Sequence, residues 1–225
     1  MHFFKSWPIA RSSVLSWLPN PWWLCPLRLT GAFAALLALG CAAMAIDGEI
    51  GEQQVISQLR QGGHVIYLRH ASRFRGPREG LSQWSSAAQF ANCRDQRNLT
   101  PEGQEEARQI GQYWRELGIP VGRVIANAQC RTRDTAILAF GRTQIDQRLY
   151  DLDFMRSVLL EPVEEASNTV VIASDFQLRE LTGIDLDYAE AAVIAPDGLG
   201  GIKVIARLDL DDWEDAADPS WWDLF

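Results

Sequence analysis

The feature that most constrains this chain is a repeated pairing of a short apolar run, rich in β-branched residues, with a following segment of helical spacing. The runs Val65–Leu68, Arg123–Ala128 and Thr169–Ser174 read as strands, and helices are expected at Thr100–Leu117, Thr132–Phe140 and Phe176–Thr182. Thr100-Pro101-Glu102 is a helix start, with threonine as cap and proline at the first helical position. Ahead of the first run, Glu49–Gln61 has helical spacing in Ile50, Val55, Ile56 and Leu59, and Gly62-Gly63 ends it. Ala191–Ala195 and Lys203–Leu208 read as further strands around a Pro196-Asp197-Gly198 turn. Such alternation predicts an α/β three-layer sandwich, a mostly parallel central sheet with helices on both faces, whose ligands meet the C-terminal ends of the strands. With 47 % hydrophobic residues among 225, the chain can fill one such core.

The first strand delivers Arg69-His70-Ala71 to its C-terminal edge, which sets a nucleophile beside a cation suited to clamping phosphate. Arg131 and Ser174 fall at or just beyond two other strand ends. His64 does not, because it precedes the strand that His70 follows, and six residues of strand separate them by roughly 20 Å. Neutral imidazole is a competent nucleophile at neutral pH, and the adjacent arginines disfavour its protonated form. Arg69, Arg73, Arg75 and Arg78 lie within ten residues of one another, as a local funnel for phosphoanions or a solvated loop face. The polar stretch from residue 71 to 92 is long for a connection, and such loops are usually functional.

Leu29–Ala45 is almost continuously apolar, is preceded by Lys5, Arg11 and Arg28 with no acidic residue, and closes on Ala43-Met44-Ala45. Residues 1–45 therefore read as an N-terminal leader ahead of a domain at 46–225: a signal peptide cleaved after Ala45, a retained membrane anchor, or a lipoprotein signal ending at Cys41. Each places the domain outside the cytoplasm, periplasmic or membrane-anchored. Without the leader, 18 basic residues face 29 acidic ones, a formal charge of −11, which argues against nucleic acid as a partner. Cys93 and Cys130 are the cysteines that remain, and they form either one disulfide or two buried thiols. No CxxC pair or His/Cys cluster with metal-ligand spacing is present, so no metal and no other cofactor is expected.

Five segments occur in order: Gly63–Ala71, Arg97–Gly103, Cys130–Ala136, Asn168–Asp175 and Glu190–Ile194. With them, over residues 48–213, the chain resembles the histidine phosphatase superfamily, the phosphoglycerate mutase and acid phosphatase fold group. The resemblance implies that His70 attacks phosphorus and becomes phosphohistidine, while Arg69 and Arg131, with Arg73, hold the phosphate oxygens. Ser174 stands where the family carries its second catalytic histidine. Asp175 coincides with the proton donor of the acid phosphatase branch, and Asp151 and Asp153 lie in a region where other branches keep their acid.

The chain also departs from that branch, with Ala71 for its glycine, Arg75 for its proline, and no room for its large cap domain. Loss of one donor to a transferring phosphoryl group costs on the order of 10²–10³ in rate. The implied function is phosphomonoester hydrolysis through His70 on a small phosphorylated substrate, and the alternative is a catalytically inactive phosphoanion-binding or scaffold protein. A cytoplasmic phosphohistidine protein phosphatase is disfavoured by the leader. The acidic, aromatic end from Trp213 to Phe225 is expected to pack on the domain as a tail, or to bind a partner.

Overall fold

Along β1 (Val65–Arg69) the side chains alternate between two apolar cores, Ile66 and Leu68 facing one and Val65 and Tyr67 the other. β4 (Asn168–Ala173) repeats this, with Val170 and Ile172 on the first side and Val171 and Ala173 on the second. Period-2 burial on both sides is what a strand covered by helices on both faces requires. The computed structural model describes residues 51–76, 90, 92–218 and 220. The expected leader, Arg78 with most of the 71–92 loop, and Trp221-Trp222 lie outside the described residues.

Four more strands, β2 (Val121–Ala126), β3 (Gln144–Ile145), β5 (Ala191–Pro196) and β6 (Ile202–Leu208), complete a sheet of order β3-β2-β4-β1-β5-β6. β1, β4, β2 and β3 pair in parallel, with Arg69 opposite Ala173, whereas β5 runs antiparallel to both β1 and β6. The sheet is thus mostly parallel, with β5 reversed. One face is covered by α1 (Glu52–Gln61), α2 (Pro101–Glu116), α3 (Cys130–Phe140) and α6 (Leu210–Ala217), and the other by α4 (Leu152–Leu159) and α5 (Asp175–Thr182). The three-layer α/β sandwich is the architecture of the described residues.

Several boundaries differ from the sequence expectation for local reasons. β2 ends at Ala126, not 128, because the Asn127 side chain accepts from the Gln129 N–H at 3.2 Å and from Thr132 Oγ1 at 2.7 Å, turning the chain out of the strand. α3 accordingly opens at Cys130, two residues early, and puts Arg131 in its first turn. α4, β3 and the short 3₁₀ turns at Cys93–Asp95 and Gln147–Tyr150 were not expected. The disulfide is formed: Cys93 and Cys130 are bonded, with Cα atoms 5.7 Å apart, joining the 93–95 turn to the first residue of α3.

The segment after His70 is fixed against the start of α2. The Thr100 side chain accepts from the Gly103 N–H at 3.0 Å, and Glu106 takes both the Ser72 N–H and hydroxyl at 2.7 Å. Gly103 is required there, since a Cβ would lie 1.9 Å from the Ser72 carbonyl oxygen. At the far side of the same helix Trp114 packs on Trp213 of α6, ring centroids 5.2 Å apart and both rings buried. Truncating one such buried aromatic costs about 3–5 kcal/mol. Trp213, the first residue of the closing segment, is therefore packed on the domain as expected, and it lies within α6. Among the described residues no helix is long and apolar enough to cross a membrane.

Candidate active site

His70 follows the last residue of β1, and its N–H donates to the Ala173 carbonyl at 3.1 Å, so the imidazole starts from the shared end of β1 and β4. The residue is 2 % exposed. Nδ1 lies 2.9 Å from the Ala71 carbonyl oxygen, which can only accept, so Nδ1 carries the proton and Nε2 keeps its lone pair. Arg131 Nε donates to that Nε2 at 3.0 Å. Burial, and next the Arg131 charge, hold the imidazole well below its ordinary pKa of 6.5; the Ala71 carbonyl opposes this, and Arg69 and Arg73 add to it. The ring is thus held neutral, with its lone-pair nitrogen turned to a guanidinium.

Arg69 donates to the Leu186 carbonyl through Nη1, lies 4.1 Å over the Tyr188 ring, and has Nη2 3.9 Å from Asp175 Oδ1. Tyr188 also stands 5.6 Å from the His70 ring and 5.8 Å from the Arg73 guanidinium carbon. Arg73 itself bridges in β fashion to Leu99 and donates to the Phe74 carbonyl at 3.2 Å. Arg131, 3 % exposed, is held by its own helix turn: its carbonyl accepts from Thr135 Oγ1 at 2.7 Å, and that hydroxyl accepts from the Ala71 N–H at 3.2 Å. The disulfide and the Gln96 side chain, which accepts from the Cys130 N–H at 2.8 Å, brace the residue just before it.

Ser174 is the cap residue of α5, directly beyond β4. Its hydroxyl lies 3.3 Å from Gln129 Oε1, and its carbonyl accepts from the Tyr67 hydroxyl. Burial, then the Asp175 charge, raise the Tyr67 pKa, so the phenol stays protonated and donates. Asp175 pairs with Arg69 and, at 3.6 Å, with Arg179. The strand ends thus bring His70, Arg69, Arg131, Ser174 and Asp175 to one edge of the sheet.

Other expected residues are placed elsewhere. Asp151 caps α4 by accepting from the Phe154 N–H at 2.8 Å, and Asp153, 91 % exposed, pairs with Arg156 at 3.0 Å; a carboxylate at a helix start is accounted for by the helix. Arg75 is exposed to solvent. His64 stands before β1, where its N–H donates to Asn168 Oδ1 at 3.1 Å. Tyr188, Gln129 and the Leu186 carbonyl are parts of the site that sequence reasoning missed. Tyr188 and Leu186 precede β5, and only the reversal of that strand brings them to this edge. Among the described residues no group of three His, Cys, Asp or Glu side chains is placed to hold a metal ion.

No protein-family model and no curated protein matches the chain. Among solved structures it is similar to the protein histidine phosphatase SixA complexed with tungstate, at 14 % identity over 66 % of this chain and 98 % of that one, with a TM-score of 0.46. It is also similar to a phosphoserine phosphatase variant from Entamoeba histolytica in complex with phosphoserine, at 9 % identity over 66 % of this chain and 98 % of that one, with a TM-score of 0.42.

Proposed function

We propose that the protein hydrolyses phosphomonoesters through a covalent phosphohistidine on His70 Nε2. The observation that carries this is the buried, neutral His70, its Nδ1 proton tied to the Ala71 carbonyl and its Nε2 lone pair facing Arg131. Nε2 bonds to phosphorus as the ester P–O bond breaks, and the leaving oxygen takes a proton, a role the reading gives to Asp175. Water then attacks the phosphohistidine, the N–P bond breaks, phosphate leaves, and the water's proton returns to Asp175. Since Arg131 Nε holds the lone pair at rest, the guanidinium must shift from Nε2 to the phosphoryl oxygens as attack begins. Phosphoryl transfer asks mainly for positioning and charge stabilisation, which fixed, multiply donating arginines supply.

Ser174 offers a hydroxyl in this arrangement, so the reading includes a slow enzyme acting on a small phosphorylated substrate. Export is part of the same proposal, supported by the positively charged start of the apolar leader and by the Cys93–Cys130 disulfide, a bond that persists in oxidising compartments. The mass of the mature N-terminus distinguishes cleavage after Ala45 from lipidation at Cys41 and from a retained anchor.

The test is turnover of an aryl phosphomonoester, with vanadate binding measured alongside. The His70→Ala variant should lose all turnover while remaining folded, with a lowered melting temperature because the buried Arg131 Nε loses its acceptor. Hydrolysis near the wild-type rate in that variant contradicts the proposal. Vanadate binding without any wild-type turnover would favour the inactive phosphoanion-binding protein.

A further inference from the structure

Glu190 lies in none of the groups that face the phosphate position, yet β1, β6 and the loop before β5 all meet at it. It is 5 % exposed, immediately before β5. One carboxylate oxygen accepts from Arg207 Nε on β6 at 2.7 Å, and the other accepts from the Asp187 N–H at 2.5 Å. Its backbone closes the same turn, with the N–H donating to the Asp187 carbonyl at 3.3 Å and the carbonyl accepting from the Arg69 N–H at 3.0 Å. The short loop so tied carries the Leu186 carbonyl and the Tyr188 ring, both applied to the Arg69 guanidinium, and Ala189, which takes a left-handed φ of 61°. Alanine adopts that conformation only where its surroundings impose it.

We propose that Glu190 is a positioning residue for the candidate site: its carboxylate, anchored by Arg207, holds the 186–190 loop in the form that aims Arg69. The proposal rests on the reading of Arg69 as a phosphate clamp for its functional consequence, but not for the coupling itself. Cutting the link should leave the fold standing, because Arg207 is 42 % exposed and keeps its hydration without the partner, and Glu190 borders a cavity of about 360 Å³ that water can enter.

The experiment uses the exported protein with Glu190→Ala, Glu190→Gln, Arg69→Ala and the Arg69→Ala/Glu190→Ala double variant. The first readout is the rate at which phenylglyoxal modifies Arg69, located by peptide mass. Release of the loop should raise it about tenfold or more in Glu190→Ala, and Glu190→Gln, which keeps an acceptor for the Asp187 N–H, should recover part of the protection. The second readout is vanadate affinity. Glu190→Ala should weaken it about tenfold, and the double variant should be no weaker than Arg69→Ala alone, the non-additivity expected of a residue acting through another.

Unchanged Arg69 modification in both Glu190 variants overturns the proposal, as do additive losses in the double variant. If Glu190→Ala fails to fold, the Glu190→Gln comparison decides by the same criterion. Raised Arg69 modification in a protein that binds no vanadate in any form would uphold the positioning role and defeat the phosphatase reading.

Discussion

The parallel strands and the reversed one contribute to the site in different ways. β1, β2 and β4 run the same way, and each places its candidate site residues at or just after its end: Arg69-His70 at β1, the Asn127–Gln129 turn leading to Arg131 at β2, and Ser174-Asp175 at β4. β5 runs against them, so the residues before its first position, Leu186 to Glu190, meet the same edge. The parallel side supplies the buried imidazole and the buried cation, while the reversed side supplies the Leu186 carbonyl and the Tyr188 ring that meet the Arg69 guanidinium, and the Glu190 carbonyl that takes the Arg69 N–H. Strand direction therefore decides whether function follows an element or precedes it.

The largest expected effect tests whether the parallel edge lacks just one cationic donor. Ser174→His should raise phosphomonoester turnover, toward the 10²–10³ that one preorganised donor is worth, less about 1–3 kcal/mol for the added bulk beside Gln129. No gain, with vanadate affinity and melting temperature unchanged, would show that this edge is not short of a donor.

Replacing both cysteines by serine should lower stability by about 2–4 kcal/mol in chemical denaturation. Because Cys130 opens α3 immediately before Arg131, vanadate affinity should fall as well, while phenylglyoxal modification of Arg69 stays as in the wild type. Equal disturbance of both sides would erase the distinction between them. Arg131→Ala should weaken vanadate binding by about 1.5–3 kcal/mol, and Arg131→Lys should restore only part of it, for want of a planar, forked donor.

The smallest effect is proton linkage. The folded protein holds His70 well below its ordinary pKa, chiefly by burial, whereas the unfolded chain protonates near pH 6.5. Below about pH 6.5 the unfolded state thus binds the extra proton and stability falls with pH, by up to about 1.4 kcal/mol per pH unit for this residue. His64, lowered by burial, contributes with the same sign. His70→Gln should flatten the stability profile between pH 5 and 6.5 without abolishing its slope. An unchanged slope would mean that His70 accepts its proton in the folded state.

The parallel side was legible because its signals are local. An apolar run that stops at Arg69-His70, or at Ala173-Ser174, marks a strand end whatever the rest of the chain does, and the resemblance supplied Arg131 and the roles. The β2 boundary was misplaced because the Asn127 side chain, not hydrophobicity, ends that strand. α4 carried its own signal in the Asp151 cap and the spacing of Leu152, Met155, Val158 and Leu159, which the reading of Asp151 and Asp153 as acids obscured. Tyr188 and Glu190 had no such signal, since nothing within residues 186–196 states which way β5 will run. The packing partner of Trp213 had no local signal either, since Trp114 lies 99 positions earlier in the chain.

The central claim is that the parallel edge holds a phosphorylatable nucleophile at His70. Its most direct measurement is rapid alkaline quenching of the protein during turnover of a ³²P-labelled phosphomonoester, with the label located by peptide mapping. The account predicts an acid-labile, base-stable phosphate on the peptide containing His70, formed before the first turnover is complete and absent from His70→Ala. Turnover with no protein-bound phosphate, or with the label on another residue, would contradict it.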